Sequence, residues 1–252
     1  MTGSLLHVED LTKAFAGLER KALDAVSFDV MPGRALGVVG PSGCGKSTLA
    51  RAIMQVVPAD AGTVAFDGRS WPVRSRRERR AFYSRLQMVF QNQSDAFDRS
   101  YTLGNSLREF GVHFGLTASQ ADDRAARLFS EVGLDSALLG RRPQHVSGGQ
   151  CQRAAIARAL MPAPDLLVCD EITSALDTTA QARVMEVLQG LKGQTTLLFI
   201  THDLALAQQV CDDLLVMDAG RAVECGPASQ VLAHPQSDMA CRLVAAAQVL
   251  YG

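Results

Sequence analysis

Cysteine pairs that could form a metal site or a disulfide framework are missing from this sequence of 252 residues. The six cysteines include no Cys-x-x-Cys pair, and several of them fall within apolar or helical patterns. This distribution argues against a zinc site or a set of disulfides and predicts a reducing compartment. A large excess of one charge is also missing, because the formal net charge is -1. The composition therefore provides no global attraction to nucleic acid or to anionic lipid.

Long hydrophobic runs are missing as well. No window approaches the roughly 18 uninterrupted apolar residues that indicate a membrane-spanning helix. The first ten residues, MTGSLLHVED, lack the basic and apolar regions of a secretory signal peptide. Hydrophobic residues make up 47% of the chain and charged residues 20%, a balance that suits one large globular domain. We therefore expect a soluble protein that depends on a partner for any role at a membrane.

Short apolar runs alternate with helical patterns along most of the chain, which predicts α/β layers. Between residues 102 and 160 the strand signal disappears and helical patterns follow one another. We predict one domain over residues 4–252, with an inserted helical subdomain at about 95–160 and a helical tail at about 228–252. The predicted strands are 5–15, 22–30, 35–39, 63–66, 86–91, 165–170, 195–201, 213–217 and 222–224, and the predicted helices are 46–57, 103–114, 118–132, 149–161, 180–191 and 204–211.

A phosphate-binding loop follows the predicted strand 35–39 and directly precedes a predicted helix. It matches the pattern G-x-x-x-x-G-K-[ST] at every fixed position. Its glycines let backbone N–H groups point at phosphate oxygens, and the start of the helix adds about half a unit of positive charge. We predict that Lys46 bridges the β- and γ-phosphates, that Ser47 holds Mg²⁺ and that Thr48 contacts the α-phosphate. The predicted nucleotide ligands here are Gly40, Pro41, Ser42, Gly43, Cys44, Gly45, Lys46, Ser47 and Thr48.

Polar side chains follow three further predicted strands at their carboxyl ends, where open α/β sheets bind ligands. We predict that Asp170 binds Mg²⁺ through water and that Glu171 is the general base that orients or deprotonates the attacking water. His202, after the strand 195–201, is predicted to hydrogen-bond the γ-phosphate. Gln91 ends the strand 86–91, where its neutral amide would contact both Mg²⁺ and water. The predicted catalytic residues are Lys46, Gln91, Glu171 and His202, and the predicted metal ligands are Ser47, Gln91 and Asp170.

A second glycine motif opens the predicted helix 149–161 and consists of Ser147, Gly148, Gly149 and Gln150. Ser147 offers a hydroxyl hydrogen bond, the two glycines permit close backbone approach, and the helix presents its N-terminus. Such a helix start favours a phosphate, yet the phosphate loop of the same chain already encloses one. The two motifs together therefore suggest an ATP site that is assembled from two chains.

Taken together, these motifs resemble those of the ATP-binding cassette (ABC) ATPases over nearly the whole chain. The resemblance implies an α/β P-loop NTPase core with a mostly parallel sheet, an N-terminal antiparallel β subdomain and an inserted α-helical subdomain. It makes Gln91 the Q-loop glutamine, residues 147–150 part of the signature motif, residues 174–177 the D-loop and His202 the switch histidine. Phe15 looks like the aromatic residue that stacks on adenine, and a core aromatic is the alternative. The resemblance also implies ATP and Mg²⁺ as cofactors and a head-to-tail dimer in which each signature motif caps ATP held by the other chain.

Within this family, three segments are similar to ATPase subunits of peptide and nickel importers: residues 85–91 with 94–97, residues 171–177, and His234-Pro235. This similarity implies an ATPase that powers import of a peptide, nickel or a metal-chelator complex. Its expected partners are a second cassette chain, transmembrane permeases and, indirectly, a solute-binding protein. The chain itself is expected at the cytoplasmic face of the inner or plasma membrane, held there through the permeases. The alternatives are an export ATPase and a soluble cassette that acts on nucleic acid or the ribosome.

An arginine-rich run between residues 74 and 85 raises the question of nucleic-acid binding. Glu78 interrupts the run, and the only aromatic residues within it are Phe82 and Tyr83. Without a larger aromatic platform, stacking with bases is not favoured. We therefore interpret this run as the solvated face of a helix and expect no nucleic-acid partner.

Overall fold

The computed structural model describes residues 3–17, 19–70, 75–91 and 96–251. The chain divides into two compact units, the first formed by Met1–Val73 and Lys192–Gly252 and the second by Arg74–Leu191. The predicted helical insertion at about 95–160 lies within the second unit. Arg74 of the arginine-rich run and both Ser94 and Asp95 of the importer-like segment lie outside the described residues.

Helices and strands alternate along the chain, as the apolar pattern predicts. The second unit includes the short 3-10 helices Ser136–Gly140 and Pro143–His145. In chain order the other elements are β1 (Leu6–Lys13), β2 (Leu23–Val30), β3 (Ala35–Val39), α1 (Lys46–Ile53), β4 (Ala61–Phe66), β5 (Arg69–Ser70), α2 (Arg76–Arg85), β6 (Leu86–Val89), α3 (Leu103–His113), α4 (Ala118–Glu131), α5 (Gly148–Leu160), β7 (Leu166–Asp170), α6 (Thr178–Leu191), β8 (Thr196–Thr201), α7 (Leu204–Val210), β9 (Asp213–Asp218), β10 (Arg221–Pro227), α8 (Ala228–Ala233) and α9 (Asp238–Tyr251).

The first unit contains an antiparallel sheet with the strand order β2-β1-β4-β5. Its register pairs Leu6 of β1 with Val30 on one side and with Phe66 on the other. Along β2 the buried and exposed positions mostly alternate, with Val26 and Phe28 buried. This alternation arises because an antiparallel sheet needs only one face against the core. The antiparallel β subdomain that the family resemblance implies is therefore present.

Parallel strands in the first unit position the phosphate loop. β3 lies between β8 and β9 and runs parallel to both, while β10 pairs with β9 in the antiparallel direction. Every residue of β3 and of β8 is buried, which explains why their sequences are nearly continuous apolar runs. Val39, the last residue of β3, pairs with Thr201, the last residue of β8. The segments that follow these two residues therefore leave the sheet side by side.

The second unit combines one parallel strand pair with helices. β6 runs parallel to β7, and Val89 is opposite Cys169. Helix starts here are fixed by local side chains: Thr117 and Gln120 form a capping box on α4. Within the described residues, no helix has the length and apolar character needed to cross a membrane.

Several boundaries differ from the sequence predictions for local reasons. The predicted helical tail is interrupted, because α8 ends at Ala233 and α9 begins at Asp238. Pro235 lies in this gap, and its ring disfavours the helical conformation for the residue before it. β6 ends at Val89 rather than at Gln91, and β10 extends to Pro227 rather than to residue 224. The arginine-rich run does form a helix, α2, whose only buried side chain is Phe82.

Candidate functional site

The phosphate loop occupies the turn between β3 and α1 in the first unit. The Lys46 side chain is buried, and its Nζ donates hydrogen bonds to the carbonyl oxygens of Gly40 (2.8 Å) and Pro41 (3.0 Å). These bonds hold the ammonium group inside the curve of the loop. Helix α1 starts without a side-chain cap and without an acidic residue in its first turn. A buried cation beside an uncapped helix start is an arrangement that favours an anion such as a phosphate chain.

Two residues of this loop are fixed by contacts with neighbouring segments. Gly45 has φ +111°, and a Cβ at this position would be 2.2 Å from the carbonyl oxygen of Ala22. Only glycine fits this position, because a side chain would meet both the unfavourable φ and that oxygen. Cys44 is 3% exposed, its carbonyl accepts a hydrogen bond from the N–H of Gly220, and burial raises the pKa of its thiol. Cys44 therefore fills space as a small apolar residue.

His202 lies directly after β8, beside the end of β3 where the loop begins. Its side chain is exposed. Asp203 caps helix α7, since its carboxylate accepts hydrogen bonds from the N–H groups of Ala205 (2.9 Å) and Leu206 (3.2 Å). The cap fixes the backbone immediately after His202. The first unit thus brings His202 and the phosphate loop to one edge of the sheet. This is the edge where the sequence predicted that the carboxyl ends of the parallel strands would lie.

Phe15 lies two residues beyond β1 and is 39% exposed, which excludes the alternative that it is a core aromatic. Lys13 Nζ lies 5.5 Å from the centroid of its ring, within the range of a cation–π contact. Asp60 holds both neighbours: its carboxylate accepts from Lys13 Nζ (2.7 Å) and from the N–H of Ala14 (2.7 Å). Sequence reasoning missed Lys13 and Asp60, because nothing local connects a turn aspartate to an aromatic residue so far away in the chain.

The second unit brings Gln91 and Glu171 together. Asp170 is the last residue of β7 and is 4% exposed, and Glu171 follows it with a half-buried side chain. Gln91 Nε2 donates to Glu171 Oε2 at 3.1 Å and to Ser174 Oγ at 3.3 Å. The Q-loop glutamine and the predicted general base are therefore in direct contact.

The signature motif begins helix α5 in the same unit. Ser147 is the N-cap residue, and it forms a capping box with Gln150: Ser147 Oγ accepts from the N–H of Gln150, and Gln150 Oε1 accepts from the N–H of Ser147. Ser147 and Gly148 are exposed. Gly149 is buried, and a Cβ there would be 2.6 Å from Cβ of Ala180 on α6. The segment that approaches Gly149 closely is thus helix α6 of the same chain.

Arg153, one turn into α5, is a residue that sequence reasoning missed. Its side chain is 5% exposed, and its guanidinium donates to the carbonyl oxygens of Val132 (3.0 Å) and Gly133, in the segment that follows α4. Burial lowers the pKa of this guanidinium, and a nearby positive charge on Arg183 adds to the effect. In the sequence, the one signal for a role in supporting the signature motif is that Arg153 lies one helical turn after Gly149.

Comparison with known proteins identifies the family. The family model described as ABC transporter matches residues 23–174. A probable peptide ABC transporter ATP-binding protein of Sinorhizobium fredii is 38% identical over 261 aligned residues, which cover 99% of this chain and 74% of that protein. The oligopeptide transport ATP-binding protein OppF of Salmonella typhimurium is 42% identical over 219 residues, which cover 85% of this chain and 66% of OppF. The di/tripeptide transport ATP-binding protein DppF of Pseudomonas aeruginosa is 38% identical, with 92% of this chain and 75% of DppF covered.

Solved structures share the fold. A cassette from Clostridium perfringens, part of the ABC transporter complex cbiONQ, matches with a TM-score of 0.81 and 25% identity, over 92% of each chain. An ATP-binding cassette solved as a dimer in a post-hydrolysis state with ADP and Pi matches with a TM-score of 0.80 and 24% identity, over 88% of this chain and 98% of that one. The predicted family and fold class are confirmed. The chain belongs to the ABC transporter family and contains its ATP-binding, ATP-hydrolysing domain.

Proposed function

We propose that this chain is the ATPase subunit of an importer for peptides or another small solute such as nickel or a metal-chelator complex. The observation that carries the ATP-binding part is the buried Lys46 ammonium, which the carbonyls of Gly40 and Pro41 hold at the uncapped start of α1. The solute class is supported by the relatives, whose names specify peptide, oligopeptide and di/tripeptide transport. The chain spans only 66% to 75% of the length of these relatives. The transport activity of the whole relatives is therefore proposed for this chain.

Nucleotide binding divides among residues with different tasks. Lys46 neutralises charge on the β- and γ-phosphates, the N–H groups at the start of α1 receive phosphate oxygens, and Phe15 offers an exposed ring face to the purine. Mg²⁺ bound to a nucleotide takes most of its ligands from phosphates and water and needs only one or two protein oxygens. We assign these to Ser47, to Gln91 and, through water, to Asp170. The remaining proposed ligands are Gly40, Pro41, Ser42, Gly43, Cys44, Gly45 and Thr48.

Hydrolysis needs an acceptor for the proton of the attacking water, and Glu171 is the residue assigned to this task. Its carboxylate accepts a hydrogen bond from the amide of Gln91, the Q-loop glutamine. His202 is assigned to the γ-phosphate because it follows β8 beside the phosphate loop. ATP supplies the phosphoanhydride bond whose cleavage drives transport.

The partners follow from the signature motif. Ser147 and Gly148 are exposed at the start of α5, where the helix N-terminus attracts an anion. We assign residues 147–150 to an ATP molecule held by a second cassette chain, so that the two chains close on two nucleotides. Transmembrane permeases are the partners through which closure moves the solute, which a solute-binding protein delivers. Through them this chain is held at the cytoplasmic face of the membrane.

Glu171→Gln tests the assigned general base. The amide keeps the size of the side chain but accepts no proton, so turnover is expected to fall about 10²- to 10⁴-fold while ATP binding is retained. Steady-state ATPase assays and equilibrium nucleotide binding measure the two effects separately. Glu131→Gln is the matched control, because Glu131 is exposed at the end of α4. Near-normal turnover of Glu171→Gln would exclude the assignment.

Solute uptake tests the transport role. A deletion strain is expected to lose uptake of labelled peptides, of nickel or of a metal-chelator complex, and the wild-type gene should restore it while Glu171→Gln should not. Unchanged uptake of each solute in the deletion strain would refute the importer proposal without affecting the ATPase assignment.

A further inference from the structure

Glu171 has a backbone conformation that a glutamate rarely adopts. Its φ is +47°, in the left-handed region where the Cβ of an L-residue crowds its own backbone. Such a conformation persists only where surrounding contacts determine it, and it occurs preferentially at functional sites. The contacts that hold Glu171 in place therefore bear directly on where its carboxylate points.

Ser174 provides two of these contacts. Its hydroxyl donates to the carbonyl oxygen of Glu171 at 2.9 Å, and its backbone N–H donates to the same oxygen at 3.2 Å. These two bonds close a turn over residues 171–174. Inside the turn, Ile172 and Thr173 are 1% and 2% exposed, so two buried side chains anchor it in the unit.

The same hydroxyl also contacts the Q-loop glutamine. Ser174 Oγ accepts a hydrogen bond from Gln91 Nε2 at 3.3 Å, and this amide also donates to Glu171 Oε2 at 3.1 Å. One hydroxyl thus joins the backbone of Glu171 to the amide that holds its carboxylate. A further bond, from Gln181 Nε2 to the carbonyl of Thr173 at 3.1 Å, ties the turn to helix α6.

We propose that Ser174 is a positioning residue for hydrolysis: its hydroxyl fixes both ends of Glu171, the backbone through the Glu171 carbonyl and the carboxylate through Gln91. This inference rests on the proposed role of Glu171 as general base. Removing the hydroxyl leaves the bond from the Ser174 N–H, so the turn and the fold remain. The carboxylate then samples a wider range of orientations, and displacements near 1 Å from a reactive geometry cost up to about 10²-fold in rate.

Ser174→Ala and Ser174→Thr test the proposal in the full-length chain. The alanine variant is expected to lower kcat about 10- to 100-fold with the KM for ATP and equilibrium ATP binding unchanged. The threonine variant keeps the hydroxyl and is expected to recover most of the lost rate. Ser130→Ala, an exposed serine near the end of α4, is the matched control and should behave as wild type.

A double-mutant cycle with Gln91→Ala gives an independent measurement. If the hydroxyl acts through Gln91, the second substitution removes little that the first has not already removed. The loss of kcat in the double variant, expressed as free energy, should then be clearly smaller than the sum of the losses in the two single variants. A kcat for Ser174→Ala within twofold of wild type would overturn the proposal, and so would an equal defect in Ser174→Thr. Retained turnover in Glu171→Gln would instead refute the general-base assignment, so the two failures are distinguishable.

Discussion

Gly45→Ala perturbs the phosphate loop in a way that the structure quantifies. The new Cβ would lie 2.2 Å from the carbonyl oxygen of Ala22, whereas ordinary van der Waals contact begins near 3.4 Å. That oxygen belongs to the backbone just before β2, so relief requires movement of the main chain. The φ of +111° also becomes unfavourable once the residue has a side chain. Two separate penalties are therefore expected at one position.

Gly43→Ala is the matched control because it carries only one of these penalties. Its φ is +76°, but a Cβ there meets nothing within 4 Å. The conformational term alone is about 1–2 kcal/mol, which corresponds to a fall in melting temperature of roughly 2–8 °C for a chain of this size. For Gly45→Ala the overpacking term adds about 1–3 kcal/mol, so its melting temperature should fall by roughly 4–20 °C.

Thermal unfolding of the nucleotide-free chain, followed by circular dichroism, measures both variants under one condition. Nucleotide titrations of the folded chains should show weaker ATP binding for Gly45→Ala, because relief of the contact displaces the start of α1. If Gly45→Ala melts no lower than Gly43→Ala, the contact with Ala22 does not constrain the loop and the reasoning from its geometry is wrong.

Two further predictions concern the adenine side and the thiols. Asp60→Ala removes the acceptor for Lys13 Nζ and for the N–H of Ala14, and is expected to weaken ATP binding about 2- to 10-fold in a titration; unchanged affinity would show that Phe15 needs no such support. Burial raises the pKa of the Cys211 thiol to about 12, so alkylation at pH 8 should label the exposed Cys241 long before Cys211 in the folded chain. Equal labelling rates for the two thiols, read by mass spectrometry, would contradict the burial of Cys211.

Local patterns made much of the fold predictable. Continuous apolar runs marked β3, β7 and β8 because parallel strands are covered on both faces. The phosphate loop was recognisable because its glycines and Lys46 are required by backbone geometry at fixed spacing. The carboxyl ends of the predicted strands then indicated His202 and Glu171, since parallel strands end at one edge of a sheet.

Contacts between distant segments were not predictable. Asp60 supports the segment before Phe15 from the turn that precedes β4, and Gly149 is small because α6 approaches it at Ala180. The left-handed backbone of Glu171 was equally hidden, because a glutamate has no intrinsic preference for it and such a conformation depends on surrounding contacts, here including the turn that Ser174 closes. Each of these features depends on three-dimensional neighbours that one sequence does not reveal.

The start of helix α5 shows how such contacts refine a motif. The Gln150 side chain that the motif offers to a nucleotide is already engaged, since its Oε1 accepts from the N–H of Ser147. The buried Arg153 joins the same helix to the carbonyl of Val132, and Ala180 packs against Gly149. Because these contacts fix the helix start within its own unit, the motif needs no ligand to become ordered. An anion that binds there meets donors already in place, so it does not have to order the helix on binding.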